Sequence, residues 1–97
     1  MNSVYELLKG YIPIKAARKV RSEGDMIIAS NNSGHIYYLN GTAAYIWCII
    51  DGALSIEGLE QKIFAEYKAS PERIKNDLVI FIRDMQWKKL IRLKEVR

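Results

Sequence analysis

The chain has one cysteine, one histidine and no long hydrophobic run, and each scarcity excludes something. With Cys48 alone there can be no internal disulfide framework, a usage that suits a reducing cytosol. The lone histidine, His35, follows Gly34 with no second ligand or nucleophile near it in sequence, so a surface or turn role fits it better than a catalytic one. The longest apolar stretch, "AAYIWCII" at residues 43–50, falls far short of the roughly 18 residues that a membrane span requires. The opening "MNSVYELLKG" has no basic start, long apolar stretch or small-residue cleavage site, so it does not read as a secretory signal. No phosphate loop, zinc spacing or dinucleotide fingerprint occurs. Asp51, Asp77 and Asp84 stand as separate carboxylates, Asp51 at a helix end and Asp77 able to cap or pair between helices. These absences point to a cytoplasmic protein that is not an enzyme and carries no metal or cofactor.

What is present is an ordinary globular mixture: 49% hydrophobic and 27% charged residues in a chain of 97. A second core would be too small to stand alone, so residues 1–97 are expected to form one domain. The formal net charge is +4, with basic residues gathered at Lys15, Arg18, Lys19 and Arg21 and again at Lys88, Lys89, Arg92, Lys94 and Arg97. Such surfaces attract nucleic acid or acidic peptides, or simply keep a small protein soluble.

Residues 2–10 have a short helix pattern, with Ser3 and Glu6 spaced as a capping box and Gly10 at the end. At about two turns it would be marginal unless docked. Tyr11 and Pro13 favour extended chain. From residue 17 to residue 39 the pattern is a three-stranded antiparallel meander, turning at "EGD" and again at "NNSG". The third strand, "HIYYL", puts Ile36 and Tyr38 on one face and Tyr37 and Leu39 on the other, so both faces are expected to be covered.

Three helices follow. The first spans about residues 42–51, with the stripe Ala43, Ile46, Trp47 and Ile50, Asn40 or Thr42 as cap and Gly52 beyond its end. Cys48 is expected to be a small buried or half-buried residue on it. The second starts at Ser55 and buries Ile56, Leu59, Ile63 and Tyr67. The third opens with Ser70 and Pro71 and buries Ile74, Leu78, Phe81, Ile82 and Met85. "LIRLKEV" closes the chain as a short strand or extended tail. Sheet first and helices afterwards is an α+β domain, winged-helix-like, with a three-stranded antiparallel sheet followed by three helices.

The aromatic residues Tyr37, Tyr38, Tyr45, Trp47 and Trp87 are the most telling feature. Trp47 lies on an apolar stripe and reads as core. Trp87 lies beyond the main stripe of its helix, on a second line with Asn76, Ile80 and Arg83. A strand edge beside such a line is the arrangement for β-augmentation, in which a peptide adds as an extra strand.

"YYLNGTAAYIWCIIDG", "SIEGLEQKIFAEY" and "IKNDLVIFIRDMQWKKLI" together resemble the PqqD family, whose domain serves as the recognition element of ribosomally made, post-translationally modified peptide (RiPP) pathways. The resemblance covers about residues 17–93 and rests on Leu39, Asn40, Thr42, Ala43, Ile46, Trp47, Asp51, Gly52, Tyr67, Asp77, Phe81 and Ile82 in that order. It implies a non-catalytic domain that binds the leader of a precursor peptide between the third strand and the third helix. Such a domain presents the leader to a modifying enzyme, either a radical SAM enzyme or the leader protease and cyclase of a lasso-peptide system. Carried onto this chain, the receiving strand is Ile36, Tyr37, Tyr38 and Leu39. The helix wall is Asn76, Val79, Ile80, Arg83 and Trp87, with Arg83 set to pair an acidic leader residue. Where the family often has Gly before the final apolar pair, this chain has Lys89. Residues 1–11 are not part of the family pattern.

Two other readings compete. A winged-helix DNA-binding regulator would suit the helix count and basic charge, but its reading helix should carry Arg, Lys, Asn or Gln along one face. Here Arg73, Lys75, Asn76 and Arg83 are mixed with Asp77, Asp84 and apolar positions, which makes nucleic acid the weaker partner. A docking subunit that binds an enzyme without a peptide is the other.

Overall fold

The computed structural model describes residues 3–95. In chain order the elements are α1 (Ser3–Leu8), β1 (Ile12–Lys15), β2 (Lys19–Glu23), β3 (Met26–Ser30), β4 (Ile36–Leu39), α2 (Gly41–Ile49), α3 (Ile56–Tyr67), α4 (Pro71–Trp87) and β5 (Ile91–Lys94). The meander β2-β3-β4 and the helices α2 to α4 form the expected winged-helix-like α+β plan. Beside it stands a second, two-stranded sheet, β1-β5, in which Ile12 pairs with Lys94 and Lys15 with Ile91. The closing segment is thus a strand, and its partner is the extended stretch around Pro13.

The short α1 is held by docking. Tyr5 is fully buried and its hydroxyl donates to Glu60 Oε1 at 2.5 Å, joining α1 to α3. Burying an aromatic ring of this size contributes about 3 kcal/mol, enough to offset a helix too short to persist alone. Ser3 lies inside α1, and Glu6 pairs with Lys9 at 3.0 Å instead of closing a capping box. The segment after α1 also serves α3: Lys9 and Tyr11 carbonyls accept the N–H groups of Glu57 and Ile56 at 3.0 and 2.9 Å. Those N–H groups have no partner within their own helix, so the N-terminal segment supplies one. Ser55 Oγ takes the next, from Gly58.

In α4, Ser70 Oγ accepts from Arg73 N–H, Pro71 occupies the first turn, and Ile74, Leu78, Phe81, Ile82 and Met85 are all buried, as their spacing predicts. Helix α2 ends earlier than its pattern predicts. Ile50 is already extended, and Asp51 lies in the following turn, where its Oδ1 accepts the N–H groups of Ala53 and Leu54, both at 2.9 Å. These bonds hold the Asp51 carboxyl below its ordinary range, the Leu54 N–H contributing most. Asn40 takes the N-cap position but makes no side-chain cap, and Gly41 beside it has a φ of +55° that a side chain would strain. Trp47 is core, with Lys15 Nζ 5.1 Å from its ring centroid. Two expectations are corrected by the packing. Cys48 is exposed, on the side of α2 away from the core. Tyr67 is 59% exposed, its ring meeting Tyr45 edge-on at 4.9 Å rather than entering the core. Among the described residues, no helix is long and apolar enough to cross a membrane.

Candidate functional site

Strand β4 lies at an edge of the meander, with β3 as its sole neighbour among the described residues. Its register puts Tyr37 opposite Ala29 and Leu39 opposite Ile27. The hairpin closes with Asn31 N–H donating to the His35 carbonyl at 3.0 Å. Hydrogen bonding alternates along an antiparallel ladder, so Tyr37 and Leu39 bond to β3. The backbone N–H and C=O groups of Ile36 and Tyr38 therefore face the open side.

The two faces of β4 differ. Leu39 is buried against the helices and Tyr37 is half-buried, whereas Ile36 is 59% and Tyr38 64% exposed. The expectation that both faces are covered fails for the outer one, where among the described residues no element packs over Ile36 and Tyr38.

The end of helix α4 lies beside the start of this strand, and two hollows mark the groove along this side of the helix. One, of about 390 Å³, is bordered by His35 and Tyr37 on the strand side and by Gln86 and Trp87 on the helix side. The other, of about 190 Å³, lies between the start of α2 and the middle of α4, bordered by Ala43, Ile46, Asp77, Ile80, Phe81 and Asp84. Between them Lys88 bridges the two walls: its Nζ pairs with Asp84 Oδ2 at 2.8 Å and stands 5.1 Å from the Tyr37 ring centroid. Trp87, 84% exposed, is the most open large side chain of the groove.

The residues expected at the helix wall separate. Ile80 and Trp87 border the groove with Tyr37. At about 100° per residue, Asn76, Val79 and Arg83 fall on the other flank of Ile80 from Asp77, Phe81 and Asp84. None of those three borders either hollow. That other flank continues toward Lys75, whose Nζ lies 5.3 Å from the Tyr5 ring, so it turns toward α1. Val79 is half-buried there, and Asn76 and Arg83 are exposed. Arg83, expected to meet an acidic group, borders neither hollow; the charged side chains that do are Asp77, Asp84 and Lys89, with Lys88 between them.

A residue that sequence reasoning missed is Asn31, read there only as part of a turn. It is buried, and its Oδ1 accepts from Ser33 N–H at 2.9 Å and His35 N–H at 3.1 Å. Its Nδ2 donates to the Lys88 carbonyl at 2.9 Å, tying the start of β4 to the end of α4. Beyond that end Lys89 adopts a left-handed φ of +58°, so the helix stops where the family often places glycine.

What these elements define is a small winged-helix-like α+β domain with an open strand edge facing its longest helix. The chain belongs to the PqqD family: residues 25–91 match coenzyme PQQ synthesis protein D (PqqD). Among solved structures, TbiB1 in complex with the TbiA(beta) leader peptide has the same fold, with a TM-score of 0.71 and 21% sequence identity over 80% of this chain and 94% of that one. No curated protein matches the chain in sequence.

Proposed function

We propose that this protein binds the leader region of a ribosomally synthesised precursor peptide as a strand added to β4, and presents it to a modifying enzyme in the cytoplasm. The observation that carries this reading is the open edge of Ile36 and Tyr38 alongside the Ile80 and Trp87 line of α4. Backbone pairing on such an edge supplies affinity, and alternate side chains of the added strand enter the hollows, which supplies selectivity. An unprotected edge is otherwise an aggregation hazard, so a regular occupant gives it a use. Membership of the PqqD family supports the reading, as does a leader-peptide complex in a protein of the same fold. The protein acts as an adaptor without catalysis of its own, and its enzyme partner is a radical SAM enzyme or a leader protease with its cyclase.

Here the helix wall is Asp77, Ile80, Phe81, Asp84 and Trp87 rather than the flank of Asn76, Val79 and Arg83. With Asp84 engaged by Lys88, Asp77 is the groove carboxylate without an ion pair among the described residues, so the groove favours a leader free of acidic residues beside it.

Synthetic leaders from precursor-like reading frames beside the gene, titrated while tryptophan emission is followed, test the proposal. Duplex DNA runs in parallel. Saturable binding by a leader at micromolar or lower concentration, with a blue shift as Trp87 is covered, supports it. A response to DNA with none to any leader refutes it in favour of the regulator.

A further inference from the structure

A third hollow lies at the other end of α4, between α2, α3 and the first turns of α4. It holds about 390 Å³, within the range of roughly 300–1,000 Å³ that small-molecule pockets occupy. Ile63 and Ile74, both buried, line it, with Tyr45 and Tyr67 as aromatic walls and Arg73 and Asp77 as charged residues. Burial, then the nearby Glu66 carboxylate, holds the Tyr45 hydroxyl above its ordinary pKa, so that wall stays neutral. Tyr67 is a large ring that the core does not use.

Three relations connect this hollow to the groove. Thr42 and Asp77 border both it and the α2–α4 hollow, so the two depressions adjoin. Gly41 and Thr42, which follow Leu39 almost directly, form its near rim, so it begins where β4 ends. Finally, an added strand preferentially runs antiparallel, because that pairing is the more stable per residue. Its N-terminal side then leaves β4 at Leu39 and heads toward this hollow.

We propose that the hollow is a second anchor pocket for the same peptide, taking a bulky apolar side chain N-terminal to the stretch that pairs with β4. This rests on the peptide-binding reading above. From Trp87 back to Arg73 the helix rises about 21 Å, and an extended chain covers about 3.3 Å per residue. The anchor therefore stands about six residues before the side chain that meets Trp87 and Tyr37. An apolar side chain there displaces water from Ile63, Ile74 and two tyrosine faces, which is the source of the selectivity.

The experiment uses a display library of random peptides of about 16 residues, long enough to span groove and hollow together. It is selected in parallel on the full wild-type chain, Tyr67→Ala, Ala69→Trp and Tyr38→Pro. Tyr67→Ala removes an exposed wall and spares the core, and Ala69→Trp fills the space, so one loss of folding cannot explain both. The wild type should enrich peptides with two bulky apolar positions about six residues apart. On Tyr67→Ala and Ala69→Trp, enrichment of the N-terminal anchor should fall about tenfold or more, while that of the anchor facing Trp87 is unchanged. Single-anchor peptides enriched equally by the wild type and both hollow variants overturn the pocket alone. Failure of the wild type to enrich any peptide beyond Tyr38→Pro overturns the peptide-binding reading and the pocket with it.

Discussion

Replacing Tyr38 by proline tests the open edge more cleanly than any other single change. The Tyr38 N–H points away from β3, so its loss removes nothing from the sheet, and the ring it carries is 64% exposed. Proline is tolerated on an edge strand when the missing N–H faces solvent, so folding stability should change by less than about 1 kcal/mol. Binding is another matter. One backbone hydrogen bond contributes about 0.5–1.5 kcal/mol, and the peptide carbonyl that loses its donor adds about 1–3 kcal/mol if it stays buried. A combined loss of about 2 kcal/mol weakens binding roughly 30-fold. Tyr37→Pro is the contrasting control: its N–H bonds to β3 opposite Ala29, so that variant should lose stability as well as binding. The assay titrates a peptide that binds the wild type and follows the emission of Trp87, with a thermal melt on each variant. A folded Tyr38→Pro protein that binds as the wild type does would refute strand addition at β4.

Four further outcomes are expected. Asn31→Ala should destabilise by about 2–4 kcal/mol in chemical denaturation, since it strands two N–H groups and the Lys88 carbonyl; a loss below about 0.5 kcal/mol would show that the tie is unimportant. Lys89→Gly should raise stability by about 0.5–1 kcal/mol, because glycine relieves the left-handed strain but orders a freer chain; a lower denaturation midpoint would contradict this. The Asp51 carboxyl is depressed from its ordinary 3.8, so its contribution is present above that pH and is lost as the pH falls through the lower folded-state value. The melting gap between wild type and Asp51→Ala should accordingly narrow below pH 3.8, and a gap independent of pH would remove the carboxylate as its cause. Arg83→Glu should leave peptide affinity unchanged within about twofold, as a residue off the groove would, and a loss of tenfold or more would return Arg83 to the site.

The sequence shows local periodicity well and long-range relations poorly. The stripes of α3 and α4 and the meander turns follow from spacings and caps within a few residues, and they are in place, Tyr67 apart. Pairing of β1 with β5 depends on residues near opposite ends of the chain, and no local pattern announces it. Docking of α1 through Tyr5 and Glu60 is hidden in the same way. The groove wall illustrates the limit most clearly. Spacing along α4 identifies the line opposite its core face, including Ile80 and Trp87, but which flank turns toward β4 and which toward α1 is set by packing. A rotation of about 140° is enough to exchange Val79 for Asp84. Asn31 escaped because its bond to the Lys88 carbonyl crosses most of the chain.

The β1-β5 ladder also sets a timetable. During synthesis at ordinary rates, Ile91 is added roughly 4 to 15 s after its partner Lys15. The meander and the first helices are complete well before then, so β1 waits without its ladder partner while the rest of the domain assembles. A nascent chain stalled within α4 would hold a finished edge strand next to an unclosed second sheet, two pairing surfaces open at once.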